Sequence, residues 1–138
     1  MKTSKSWAEK MEKPALPEVK PLRHAFADLR ENSRMLIPTP RLIEKYLMNT
    51  EPGTTVDIKQ MRADLAAENH ADGTCPMTTG IFLRIVSEYT NEMKMAGQPL
   101  KKLTPIWRVL HPRAPIWKKL TFDKDWILAL QLKENLKF

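Results

Sequence analysis

Seven basic side chains, Lys94, Lys101, Lys102, Arg108, Arg113, Lys118 and Lys119, fall between Met93 and Phe122 with no Asp or Glu among them. Trp107, His111 and Trp117 are interleaved with them. A run of cations with aromatic faces suits a polyanion, because phosphates call for positive charge and an unstacked base calls for a flat ring. The same composition also describes a solvated, lysine-rich loop. Removing these seven from the 23 Lys and Arg leaves 16, equal to the 16 Asp and Glu, so the whole formal charge of +7 belongs to this stretch.

Other residues could do chemistry. Cys75 is the one thiol and precedes Pro76, where a helix start would lower its pKa and make it a nucleophile, with His70 across the turn. A small buried cysteine fits the same position. Thr78 and Thr79 would sit in the first turn of that helix, able to donate to phosphates or base edges, or else to satisfy the helix's own start. Arg84 lies farther along and could reach a backbone phosphate.

Several chemistries are excluded. The four glycines, Gly53, Gly73, Gly80 and Gly97, never cluster, so no glycine loop cradles a phosphate. A single cysteine forms no disulfide framework, cysteine zinc site or CxxC pair, and the compartment is expected to be reducing. His24, His70 and His111 are too scattered for a metal site, so neither metal nor cofactor is expected. Met1 to Lys13 has no signal-like apolar stretch, and the longest apolar run, Trp126 to Leu130, is far short of the roughly 20 residues of a membrane helix. A soluble cytoplasmic protein with no membrane partner is the expectation.

The elements that must position these residues can be read from caps and periodicity. Residues 1–34, with Pro14, Pro17 and Pro21, read as an N-terminal arm. It could hold short helical pieces at 6–13 and 22–30 and be pinned by Trp7 and Phe26. Residues 35–138 read as the domain. Thr39 with Pro40 starts a helix carrying Leu42, Ile43, Tyr46 and Leu47 and ending near Asn49. Asp57 caps a second helix with Ile58, Met61 and Leu65 on one side, ended by Asn69 to Gly73. Thr74 or Cys75 with Pro76 opens a third, with Ile81, Phe82, Ile85, Val86, Tyr89 and Met93 on its apolar face, closed by Gly97 and Pro99. The second and third helices, joined by a turn of about four residues, outline a helix-turn-helix. Leu103 to Leu110 is β-prone and reads as a short strand or wing. His111 to Pro115 reads as a loop, and Asp123 caps a last helix with Trp126, Ile127, Leu130 and Leu136 to bury.

Pro52-Gly53-Thr54-Thr55, then Thr78-Thr79-Gly80, then Pro105-Ile106-Trp107-Arg108-Val109, taken in order, resemble the C-terminal domain of alkylguanine-DNA alkyltransferases. The resemblance spans roughly Met35 to Leu110. It is nearest to a bacterial branch with Cys-Pro-x-Thr-Thr-Gly-Ile-Phe before Pro-x-Trp-Arg. It implies a mainly α fold with a short β element, a winged helix-turn-helix, in which the strand that holds the family's active site follows the recognition helix. The family's alkyl-accepting cysteine corresponds to Ile106 and its activating histidine to Trp107. Isoleucine has no nucleophilic atom, so alkyl transfer by that mechanism is impossible at this position. The arginine that the family inserts into the base stack corresponds to a position near Met77, and its tyrosine to one near Val56. Alkyltransferase-like proteins, which recognise lesions in DNA repair without reversing them, usually carry Trp at the cysteine position; here Trp107 comes one residue later.

The resulting expectation is a non-enzymatic DNA-binding protein with no catalytic residue and duplex DNA as its partner. The DNA-contacting candidates are Thr78, Thr79, Arg84, Lys101, Lys102, Arg108 and Arg113, and the base-pocket candidates are Met77, Ile106 and Trp107. The alternative is a protein-interaction module that kept the fold and lost DNA binding, with Met77 and Trp107 facing a protein partner.

Overall fold

The structure is a computed structural model that describes residues 5–138. It is mainly helical, with six α-helices and one small sheet among the described residues. Ser6 starts α1 (Trp7–Met11) with a reciprocal capping box to Glu9. Met11, at the end of α1, is fully buried in the common core with Leu36, Leu47, Leu83 and Ile106. Strand β1 (Glu18–Pro21) pairs antiparallel with β2 (Arg34–Ile37). The segment before residue 35 therefore supplies a helix and a strand to the same core.

The segment expected to be helical at 22–30 is not. It follows Pro21 and turns through Ala27 at φ 54°, with a bridge between Phe26 and Leu29. Helix α2 (Pro40–Met48) starts where Thr39 Oγ1 accepts from Leu42 N at 3.0 Å, with Pro40 at the first position, and ends at Asn49. Helix α3 (Ile58–Glu68) is capped by Asp57, whose Oδ1 accepts from Lys59 N at 3.1 Å. Both match the local signals, because a cap is decided within a few residues of chain.

The connection after α3 is longer than the four-residue turn expected. It runs from Asn69 to Cys75 and includes β3 (Gly73–Thr74), which pairs parallel with Met35 and Leu36 of β2. Asp72 Oδ2 accepts from Arg34 N at 2.7 Å, and Cys75 N donates to Leu36 O at 2.8 Å. Arg62 of α3 fastens the same region, donating from Nε to Thr74 O at 3.0 Å and from Nη1 to Asp28 Oδ2 at 3.0 Å.

Helix α4 (Pro76–Met95) is the central element, packed against α1, α2 and α5 (Pro115–Lys119). Its buried stripe passes through Thr79, Leu83, Val86, Ser87 and Thr90, whereas Ile81, expected inside, is half exposed. Thr79, Ser87 and Thr90 enter the core because each hydroxyl donates to the carbonyl four residues back, at 2.6, 2.8 and 2.7 Å. Those three polar residues hide the stripe from a hydrophobic-periodicity reading.

Leu103 to Leu110 is not a strand. Ile106–Arg108 forms a 3-10 turn: Ile106 N donates to Thr104 O, Arg108 N to Pro105 O and Val109 N to Ile106 O. Local pairing of those donors, with Pro105 contributing none, leaves little for a ladder. The expected loop from His111 runs into α5, which opens at Pro115. Helix α6 (Asp125–Lys133) starts one residue later than expected: Lys124 is at the cap position, while Asp123 Oδ1 accepts from Asp125 N at 2.8 Å.

Candidate nucleic-acid interface

The N-terminal half of α4 keeps one outward stripe, Met77, Gly80, Ile81 and Arg84, at three- and four-residue steps. Met77 is 61% and Ile81 51% exposed, unusual for large apolar side chains next to each other on a helix. On one side stand Trp7 and Lys10 of α1, on the other Ile116 and Lys119 of α5, and together they form a groove of about 600 Å³. A Cβ at Gly80 would meet nothing within 4 Å, so the floor is open there.

The groove's charge is one-sided. Lys10, Arg84 and Lys119 line it, no carboxylate does, and none of the three cations is ion-paired among the described residues. Glu88, one turn beyond Arg84, is turned away and buried, its carboxylate accepting from Thr121 N at 2.8 Å. Lys10 Nζ lies 4.2 Å from the Trp7 ring centroid and Arg84 Cζ 5.7 Å from it, so one indole holds both cations. Arg84 Nε and Thr78 Oγ1 are buried without a hydrogen-bond partner among the described residues. An unpaired donor of this kind is stabilised by any anionic oxygen brought to it.

The remaining sequence candidates lie elsewhere. Thr79 is fully buried and committed to Cys75 O, so its hydroxyl does not reach the surface. Cys75 is buried at the cap position of α4, where its Sγ accepts from Thr78 N at 3.5 Å. Ile106 is fully buried, and Trp107 and Arg108 are only 4% and 7% exposed. Trp107 Nε1 donates to Glu134 Oε2 at 2.6 Å, and Arg108 Nε donates to Glu134 Oε1 at 2.9 Å. Gly53 N adds a bond at 2.9 Å, and Arg108 Nη1 ties in Thr50 O at 2.8 Å. Burial works to raise the Glu134 carboxyl, but the bonds from Arg108, Gly53 N and Trp107 outweigh it and hold it down at about 2. Pro105 to Arg108 thus forms a clamp between the 50–53 turn and α6, not an open pocket.

The basic stretch is also not one patch. Arg108 is neutralised by Glu134. Lys101 lines a second groove with Met48, Trp107 and Lys133, and the neighbouring Lys102 is exposed on the 3-10 turn Leu100–Lys102. Arg113 lines a third recess with His111 and Phe138, whose rings are 5.0 Å apart. Met77 and Arg84 therefore share a groove, while Ile106, Trp107 and Arg108 lie away from it. From the sequence Lys10 is not singled out, and Lys119 is named only as one of the seven cations of the basic stretch. The capping box at Ser6 marks the helix that presents Lys10, but no local signal places that helix beside α4.

No protein-family model, curated protein or solved structure matches the chain. Among the described residues no helix is long and apolar enough to cross a membrane.

Proposed function

We propose that the chain is a non-enzymatic DNA-binding protein that grips duplex DNA with the α4 groove. The observation that carries this is the placement of Lys10, Arg84 and Lys119 around the exposed stripe of α4, with no ion pair among the described residues and no acid in the lining. In this proposal α3 and α4 act as a helix-turn-helix, without a strand at 103–110 to serve as the wing, and the exposed N-terminal residues of the second helix are those that meet base edges. Lys10 and Lys119 take phosphates on either side, Arg84 takes a phosphate or a guanine edge, and Met77 and Ile81 pack on apolar base edges such as the thymine methyl. Ile106 offers no nucleophile, so no alkyl group is accepted there. The single, buried thiol favours a reducing compartment, and we place the protein in the cytoplasm.

Fluorescence anisotropy with a labelled duplex over a salt series tests the proposal. Three phosphate contacts predict a log–log slope of about −3. Lys10→Ala, Arg84→Ala or Lys119→Ala each weakens binding about tenfold and flattens the slope by about 1, whereas Lys118→Ala, outside the groove, does neither. No binding at low salt refutes it.

The exposure of Met77 and Ile81 favours a second reading, a module that seats a protein partner on α4. Binding that persists unchanged at high salt, to a protein and not to DNA, would select that one.

A further inference from the structure

We infer that the groove over Trp107 is a docking site for an acidic amphipathic helix of a partner protein, separate from the α4 groove. It encloses about 660 Å³, and its apolar surface is formed by Met48, Leu100, Trp107 and Leu130. Met48 and Leu100 are 46% and 45% exposed, so the floor is apolar and open. Trp107, only 4% exposed, backs the groove from beneath; its bond to Glu134 and an edge-on contact with Trp126 at 6.3 Å hold that wall rigid before anything binds on Met48 and Leu100.

Charge selects the occupant. Glu134 is the only acid lining the groove, and its carboxylate is already used by Arg108, Trp107 and Gly53. Lys101 and Lys133 are left exposed at the rim, without an ion pair among the described residues. An apolar floor between two free ammonium groups fits a helix with leucine-like residues on one face and carboxylates beside them. A second copy of this chain fits poorly, because a two-fold contact through the same patch sets lysine against lysine. The inference does not depend on DNA binding.

The probe is a fluorescein-labelled synthetic peptide of about 15 residues with Leu at i, i+3, i+4 and i+7 and Glu elsewhere. Amide and indole chemical-shift mapping accompanies anisotropy with the full chain. The expected result is saturable binding below about 100 μM, with shifts at the Trp107 indole, Leu100 and Leu130. Lys101→Glu with Lys133→Glu weakens it at least tenfold, and a peptide with Lys in place of Glu does not bind. Leu100→Asp, also on the surface, must weaken it as well, and circular dichroism checks that each variant is folded. Absence of binding, binding indifferent to the charge reversals, or shifts confined to Met77 to Arg84 overturns the inference. So does self-association of the chain that competes with the peptide.

Discussion

The indole of Trp107 donates to Glu134 Oε2 across 27 residues of sequence, and the neighbouring guanidinium of Arg108 closes on the same carboxylate. This one acid joins the 3-10 turn at 106–108, the 50–53 turn and the end of α6. Truncating it leaves a buried guanidinium without its counter-charge, bonded only to Thr50, and an indole N–H without its acceptor, a costly loss in such a network. Glu134→Ala should destabilise the protein by about 3 kcal/mol, read as a shift in the urea midpoint at neutral pH with the slope unchanged.

The same carboxylate sets an acid limit. Its folded pKa is about 2 against an ordinary 4.5, so its stabilisation is full above the unfolded value and is lost as pH falls through the folded one. Between about pH 5 and pH 2 the protein should lose on the order of 3 kcal/mol from this group. Glu134→Gln, weaker at neutral pH, should show a flatter stability profile over that range. Parallel profiles for the two proteins would show that Glu134 is not the titrating group.

Arg62 makes a second, independent connection, holding Thr74 O and Asp28 at once with a side chain only 11% exposed. Arg62→Met keeps the aliphatic stem but removes the donors, leaving Thr74 O with one partner fewer. A loss of roughly 2 kcal/mol is expected. The segment between Pro21 and Arg34 should open first, so limited proteolysis should cut there faster than in the parent protein while α4 stays protected.

What the sequence discloses follows the range of the forces involved. Thr39-Pro40, Asp57 and Cys75-Pro76 mark three helix starts because a cap is a contact within a few residues. Only the extended stretch from Met35 was legible in the sheet; its partners were not, because β3 has only two residues, too few to alternate, and β1 ends at Pro21. Charge misled for a related reason. Lys101, Arg113 and Lys119 are close in sequence, yet the chain turns at Pro105, Pro112 and Pro115 and sends them to three different surfaces. Arg84 and Met77 were legible, being one stripe of one helix. Lys10 and Lys119 join them only through tertiary packing.

Gly80 offers a way to separate stability from binding. It sits inside α4 with a right-handed helical backbone and empty space where a Cβ would go. Gly80→Ala should therefore stabilise the fold by about 0.5–1 kcal/mol, seen as a higher Tm. The added methyl also stands on the groove floor between Met77 and Arg84, so duplex affinity should fall as stability rises. A variant that gains both would remove Gly80 from the contact surface.

Ile106→Cys tests the resemblance directly, by placing a thiol where that resemblance would put the alkyltransferase acceptor. Ile106 is fully buried in the core with Leu83 and Leu110, and the adjacent Trp107 offers no base because an indole nitrogen has no free lone pair to accept a proton. A thiol there is shielded, lacks an activating histidine and has no path for a substrate. The variant should lose about 1–2 kcal/mol through the lost volume. Its thiol should stay unreactive to a disulfide reagent until the chain is unfolded, and it should accept no label from a benzylguanine substrate. Stoichiometric labelling of folded Ile106→Cys would show that the position opens to the surface, and would return the Pro105 to Val109 segment to the role that its resemblance implies.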